Sequence, residues 1–180
     1  MDAVPGRSTR SLGRAKTVLD LGIVAPGHYF LDGAYGISEA GFPLPLQAHL
    51  KVELMPNVLE IVGTWQQHSG RPTHGFRLEV VRDHTSQSQA DVAVTGTFIR
   101  TLKGRVSLKR PAFEILAADE SRDQLLSAHF TASPEVGIFE VSGFVSVGPD
   151  KYYSFDGRAI PTAGKDSLSN VVSIMGGKVA

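Results

Sequence analysis

The stretch Ile61-Val62-Gly63-Thr64-Trp65 places a glycine in the middle of a run that otherwise has the composition of a β-strand. Four other stretches share this pattern: Val94-Thr95-Gly96-Thr97-Phe98, Val141-Ser142-Gly143-Phe144-Val145, Tyr29-Phe30-Leu31-Asp32-Gly33 and Tyr153-Ser154-Phe155-Asp156-Gly157. Glycine inside a strand usually marks a bulge, a bend or a close approach of two backbones, because it packs no side chain. Repeated from strand to strand, such glycines let a sheet coil until it closes on itself. The pattern predicts a curved, closed β-barrel.

Strand-like segments separated by turn signals follow one another from His28 onward. Among them, residues 91–101 and residues 104–116 are each interpreted as a single strand. Short strands at this spacing, with no long helical pattern between them, are typical of an antiparallel barrel or sandwich. We therefore expect an all-β fold, an antiparallel closed or nearly closed β-barrel of about 8–9 strands with short terminal helix or tail segments.

The predicted barrel domain covers residues 26–163. Residues 1–25 are rich in Arg, Ser and Gly and are predicted to form a flexible N-terminal tail or lid, so that removing residues 1–20 should leave the thermal midpoint nearly unchanged. Residues 164–180 are predicted to be a short C-terminal helix or tail, because their apolar residues share one helical face ahead of Gly176-Gly177. A tenth, β-branched strand is the alternative for this last segment.

The motif Tyr-x-(Leu/Phe)-Asp-Gly occurs at both 29–33 and 153–157. We interpret the repeat as a coincidence of strand chemistry. The alternatives are an internal duplication and a pairing of the first and last strands at the seam where the barrel closes.

The charged residues are balanced, with 18 Lys plus Arg against 18 Asp plus Glu and a formal net charge of zero. Nucleic-acid-binding domains usually carry a basic face, so this balance indicates no nucleic-acid partner. Limited self-repulsion permits association, and a homodimer is a possible state of the protein.

The chain contains no cysteine. This excludes disulfides, thiolate nucleophiles and cysteine-based metal sites, and it is compatible with a reducing compartment, so we predict a soluble, cytoplasmic protein. No apolar run is long enough to span a bilayer, and the basic residues before position 17 are followed by a poor signal-peptide cleavage site. We therefore expect no membrane span.

Period-two alternation assigns side chains to the two faces of each predicted strand, and the apolar face of a barrel normally points inward. The acids Glu60, Glu79, Glu140 and Asp156 fall on the outer face. The inner face contains neither carboxylate nor lysine, which suits an apolar ligand because a buried charge would be costly. The predicted ligand-binding residues are Tyr29, Tyr35, Trp65, His74, Phe76, Phe98, Phe139 and Tyr153.

His74 is the titratable residue on an apolar face, and it could exchange a hydrogen bond or a proton with a ligand. A histidine at the strand end, hydrated at the rim, is the simpler interpretation. Trp65 could stack on a ligand, although a large aromatic side chain more often fills the core. His74 and Tyr153 are the residues we would test first for a catalytic role.

The six histidines, at positions 28, 49, 68, 74, 84 and 129, show no pair at the spacing that would place two imidazoles on one metal. The sequence also lacks a Gly-x-Ser-x-Gly nucleophile turn and a phosphate-binding loop. We therefore predict no metal site and no cofactor.

The stretch Glu60-Ile61-Val62-Gly63-Thr64-Trp65-Gln66-Gln67, followed by Val94-Thr95-Gly96-Thr97-Phe98, resembles the Gly-x-Trp and Gly-Thr-aromatic strands of the calycin barrels, which include lipocalins and avidin-type biotin binders. In this chain Gly-x-Trp falls in the third predicted strand, whereas calycins have it in the first. The biotin-holding polar residues find no counterparts here, so no ligand is carried over. The resemblance implies a small closed barrel with an internal ligand site.

These observations support three functions. The first is a carrier or sensor that binds a largely apolar small molecule inside the barrel. The second is a barrel enzyme, a cyclase or isomerase of polyketide-like substrates that acts by confinement, without a metal or a covalent nucleophile. The third is an interaction module whose barrel is filled by its own side chains.

Overall fold

Ten antiparallel strands form one closed barrel in the computed structural model, which describes residues 17–19, 22–37, 44–66, 73–97 and 99–162. Each strand pairs with its neighbours in sequence, and β1 pairs with β10 to close the barrel. The strands are β1 (Gly27–Ile37), β2 (Leu44–Met55), β3 (Val58–Gln66), β4 (Thr73–Arg82), β5 (Gln89–Gly96), β6 (Ile99–Lys109), β7 (Ala112–Ala118), β8 (Leu125–Ala132), β9 (Phe139–Gly148) and β10 (Lys151–Pro161).

The predicted all-β, antiparallel closed barrel is confirmed, with ten strands where about 8–9 were expected. The difference arises between Gln89 and Ala118, where the two strands predicted at 91–101 and 104–116 are in fact β5, β6 and β7. The β5–β6 and β6–β7 connections are both very short, the second consisting of Arg110 and Pro111. Neither connection carries the cluster of turn residues that marks a break in sequence, so the sequence pattern does not separate β5 from β6 or β6 from β7.

The two copies of the Tyr-x-(Leu/Phe)-Asp-Gly motif meet where β1 pairs with β10. Gly33 lies directly opposite Gly157, and Asp32 lies opposite Arg158. A Cβ atom at Gly33 would overlap the carbonyl oxygen of Asp156, so the two backbones can approach this closely only with glycine at position 33. The repeat therefore marks the closing seam, and this alternative replaces our interpretation of the repeat as a coincidence.

The short segment before β1 packs against one end of the barrel. Val18, Leu19, Ile23 and Val24 are buried and belong to the same hydrophobic cluster as the inner faces of the strands. The hydroxyl of Tyr29, near the start of β1, donates a hydrogen bond of 2.5 Å to the carbonyl oxygen of Ala25. This segment covers the end of the barrel at which β1 begins, and we call that end the closed end.

The opposite end, where β1 ends and β2 begins, is called the open end below.

Residues 1–16 and 163–180, which include the predicted C-terminal helix, lie outside the described residues. The domain boundaries at residues 25 and 163 stay a prediction, although the described part of the predicted tail contributes buried side chains to the core. No helix in the described parts of the chain is long and apolar enough to cross a membrane.

The outer face of the barrel carries the charged side chains. Arg77 on β4 forms an ion pair with Glu60 on β3. Arg105 on β6 binds both Asp83 and Asp91 through its two terminal nitrogens, at 2.9 and 2.6 Å. Hydrogen bonds from Thr85, and then from Arg105, lower the pKa of the Asp83 carboxyl to about 2. The charged groups thus lie opposite the apolar inner face, as alternation requires.

Candidate functional site

A cavity of about 280 Å³ lies inside the barrel toward the open end. Its wall is formed where the odd-numbered strands end and the even-numbered strands begin. Every second residue there faces inward, because successive side chains on a strand alternate between the two faces. The aromatic residues in this wall are Tyr35, Trp65, Phe76, Phe130, Tyr153 and Phe155. Aliphatic side chains such as Val94, Ile99, Leu126 and Val145 complete it.

The described part of the lining is almost wholly apolar, and none of the described residues in it is charged. The polar side-chain groups among these residues are three hydroxyls and the indole N–H of Trp65. The hydroxyl of Thr97 is engaged by backbone, since it accepts a hydrogen bond of 3.0 Å from the Gly75 N–H and lies 3.2 Å from the Gly75 carbonyl oxygen. The remaining two hydroxyls belong to Tyr35 and Tyr153.

Tyr35 and Tyr153 are diagonal neighbours across the seam between β1 and β10. Tyr35 pairs with Phe155, and Tyr153 pairs with Ile37. Their ring centroids are 6.4 Å apart, with an angle of 53° between the ring planes. Within the described part of the chain, neither hydroxyl has a hydrogen-bond partner. Two adjacent phenol groups therefore face the cavity with their hydrogen-bonding capacity available.

Trp65 and His74 are directly paired between β3 and β4, and their ring centroids lie 4.9 Å apart. Trp65 lines the cavity, whereas His74 is half-buried beside it and is not part of the lining. Both side chains make further interactions. His74 is thus placed to support the indole ring, and its role as a ligand or catalytic residue stays a prediction.

The Phe76 ring packs beside Gly63, in space that a side chain at position 63 would fill. Gly63 pairs with Phe76, and a Cβ atom at Gly63 would overlap the edge of the Phe76 ring. The interior glycine that made this strand conspicuous in the sequence therefore makes room for an aromatic ring. Without that room the ring would occupy part of the cavity.

Four of the predicted ligand-binding residues, Tyr35, Trp65, Phe76 and Tyr153, line the cavity together. Tyr29 and Phe139 face inward as well, but they lie outside the cavity lining, edge to face with ring centroids 4.9 Å apart. Burial raises the pKa of the Tyr29 hydroxyl, whose hydrogen bond to Ala25 acts in the opposite direction. Phe98 lies outside the described residues. The ligand-binding role of all these residues stays a prediction.

Sequence reasoning missed Phe130 and Phe155 as members of the cavity wall. The alternation of the sequence nevertheless indicates that both side chains face inward. Phe155 shares the inner face of β10 with Tyr153, and Phe130 alternates with the polar His129 and Thr131 on β8. Phe130 also contacts Phe113 in a stacked pair with ring centroids 4.7 Å apart. It thus joins the cavity to the packed core.

A buried acid, Asp119, joins neighbouring segments at the rim of the open end through an ion pair and hydrogen bonds. Asp119 binds Arg100 at 2.6 Å and accepts a hydrogen bond of 2.9 Å from the backbone N–H of Gln124, whose side chain in turn accepts one of 2.8 Å from the Arg100 N–H. The backbone hydrogen bond from Gln124, together with Arg100 and Ser121, lowers the pKa of Asp119 to about 2. The network fixes the rim beside Ile99, and Asp119 itself is not part of the cavity lining.

The described residues contain no group of three or more His, Asp or Glu side chains that could hold a metal ion. Two histidines do meet on the barrel wall, since His28 Nδ1 and His49 Nε2 are 3.2 Å apart and their rings are stacked.

The four acids predicted to face outward, Glu60, Glu79, Glu140 and Asp156, are absent from the cavity lining.

Comparison with protein-family models and with curated proteins found no match to this chain. The closed antiparallel barrel is compatible with a calycin-like barrel. Membership of the calycins stays a prediction.

Proposed function

We propose that the protein binds a small, largely apolar molecule in the open-end cavity, as a carrier or sensor. The observation that carries this proposal is the cavity of about 280 Å³ with its uncharged, mostly hydrocarbon and aromatic lining. Ligand sites in proteins typically combine such a lining with a few placed polar groups, and their volumes begin at about 300 Å³. Tyr35 and Tyr153 would supply the polar groups here.

The packing around the cavity indicates that the proposed binding site is already formed in the absence of a ligand. The closed end is filled by side chains such as Phe113 and Phe139, which are each 1% exposed, so the strands are held in place without a ligand. Gly63 seats the Phe76 ring against the wall, and the Asp119 network braces the rim. A preformed pocket binds more tightly because less ordering entropy is lost on association.

The direct test is native mass spectrometry of the protein purified from its own host, in search of a bound small molecule. Val145 lines the cavity, so Val145→Phe should displace the ligand by filling its space. Val136 is 97% exposed, which makes Val136→Phe the matched control. We expect a bound mass in the wild type and in the control and its loss in Val145→Phe. Thermal unfolding of each variant verifies that it is folded.

The enzyme alternative, a cyclase or isomerase that acts by confinement, would use the same cavity. It makes a different prediction, because the molecule recovered from the protein would be converted to an isomer on prolonged incubation. The interaction module is the third alternative. It would bind neither a host molecule nor an added apolar probe such as naphthalene, and that outcome would refute the proposed function.

A further inference from the structure

The cavity wall has two chemically different sides. Strands β10, β1, β3 and β4 contribute a group of aromatic rings, namely those of Tyr35, Trp65, Phe76, Tyr153 and Phe155. Strands β5, β6, β8 and β9 contribute mainly aliphatic side chains, among them Val94, Ile99 and Val145, together with the single ring of Phe130. Aromatic rings attract other rings in stacked or edge-to-face geometry beyond what their buried area provides. The wall therefore favours a flat, unsaturated ligand over a saturated one.

The size of the cavity limits the ligand to about two rings. An engineered cavity of about 150 Å³ in another protein holds one benzene molecule. The present volume of about 280 Å³ is nearly twice as large. Two fused six-membered rings, with about ten to twelve non-hydrogen atoms, fit this space on the same scale.

The polar groups at the mouth select an uncharged oxygen function on that ligand. The hydroxyls of Tyr35 and Tyr153 can each donate or accept a hydrogen bond. Of the nearby cations, Arg100 is already paired with Asp119, and Lys151 lies above the Tyr153 ring, 5.7 Å from its centroid. None of the described side chains that line the cavity is cationic, so a carboxylate moved into this lining would lose its hydration without an ion-pair partner inside the cavity.

We infer that the ligand is an uncharged bicyclic aromatic compound whose hydroxyl or carbonyl oxygen bonds to Tyr35 and Tyr153 at the mouth of the cavity. The inference rests on the proposed function, since it specifies the ligand of the same site. The rings lie against Trp65 and Phe76, and the oxygen points toward the open end.

The test measures dissociation constants by equilibrium dialysis for four probes: naphthalene, 2-naphthol, decahydro-2-naphthol and 2-naphthoate. The wild type should bind 2-naphthol at least threefold more tightly than its saturated analogue, as expected for stacking on aromatic walls. It should bind 2-naphthoate at least tenfold more weakly than 2-naphthol.

The tyrosine pair is tested by the ratio of the naphthalene and 2-naphthol dissociation constants. In the double variant Tyr35→Phe/Tyr153→Phe this ratio should fall by about 3- to 10-fold, the range for loss of one or two neutral hydrogen bonds. Tyr152→Phe is the matched control, because Tyr152 is 49% exposed and not part of the cavity lining, and it should leave the ratio unchanged.

The outcomes separate this inference from the proposed function. An unchanged ratio in the double variant, or equal affinity for the saturated analogue, overturns the assigned ligand class and leaves the cavity as a general apolar site. Preferential binding of 2-naphthoate overturns the uncharged oxygen. Absence of binding by every probe, together with absence of a bound host molecule, refutes the proposed function itself.

Discussion

Gly33 of β1 lies directly opposite Gly157 of β10, and the Gly33 position leaves no room for a Cβ atom beside the carbonyl oxygen of Asp156. The first and last strands of the barrel are therefore paired at a point where neither carries a side chain. Glycine at this point allows the strong local coiling that closing the sheet requires.

Replacing Gly33 with alanine should weaken this seam. The added methyl group must displace backbone, which costs roughly 1–3 kcal/mol by analogy with overpacked cores. Gly148→Ala is the control, because nothing lies within 4 Å of a Cβ atom built there. Urea unfolding of the two variants gives the comparison, and equal stabilities would show that the β1–β10 contact relaxes at little cost.

Gly63→Ala should affect binding more than stability. The new methyl group would overlap the Phe76 ring and the Leu50 side chain, and both of these line the cavity, so their displacement should alter its shape. We expect a several-fold loss of affinity for 2-naphthol, about 1 kcal/mol. Phe76→Leu removes the ring, so adding Gly63→Ala to Phe76→Leu should cause little further loss beyond that of Phe76→Leu alone. An equal further loss in the Phe76→Leu background would place the effect of Gly63 outside its contact with this ring.

The acid sensitivity of the fold should depend on Asp119. Its pKa is about 2 in the folded protein, below its ordinary value of 3.8, so the stabilisation it gives is present above about pH 4. That contribution is lost as the pH falls from 4 to 2. Asp119→Asn should therefore be less stable at pH 7 and should show a flatter stability profile between pH 4 and 2.

Asp123→Asn is the control for this pH profile, because the Asp123 carboxylate is largely exposed and lies 4.0 Å from Arg100. Chemical unfolding at a series of pH values measures both variants against the wild type. An Asp119→Asn profile parallel to that of the wild type would assign the acid sensitivity to other groups, such as Asp83 with its similarly lowered pKa.

Leu19→Ala should destabilise the protein although it lies in the predicted tail. Leu19 is 5% exposed and joins the hydrophobic core, so its truncation should cost about 2–4 kcal/mol, or a fall of roughly 5–15 °C in the thermal midpoint. Leu116, on the outer face and 67% exposed, provides the control variant Leu116→Ala. A midpoint shift no larger than that of the control would mean that the segment covering the closed end contributes little stability.

The sequence predicted which face each residue occupies better than how deep it lies in the barrel. Alternation is a local property, so it correctly placed Tyr29 and Tyr35 on the same inner face of β1. Depth depends on strand register and on what covers each end. Tyr29 lies beside the segment that covers the closed end, whereas Tyr35 lines the cavity. Period-two reasoning alone contains no information about that difference.

The buried acid and the strand count escaped prediction for a related reason. Asp119 falls in the polar stretch between β7 and β8, and it is buried where Arg100 and Gln124 contact it from neighbouring segments. The split of residues 104–116 into β6 and β7 occurs at Arg110-Pro111, within an otherwise strand-like run. Both features depend on contacts between segments, which a local pattern does not encode.

The pairing of β1 with β10 has a consequence for how the protein folds. Tyr29 pairs with Pro161, so the contact that completes the barrel joins residues far apart in the chain. During synthesis, strands β1 to β9 can each pair with a neighbouring strand in the sequence. One edge of β1 stays unpaired until β10 has been made. An unpaired edge can recruit strands from other chains, and pairings of such long range form slowly. The protein should therefore be most prone to aggregation just before β10 emerges.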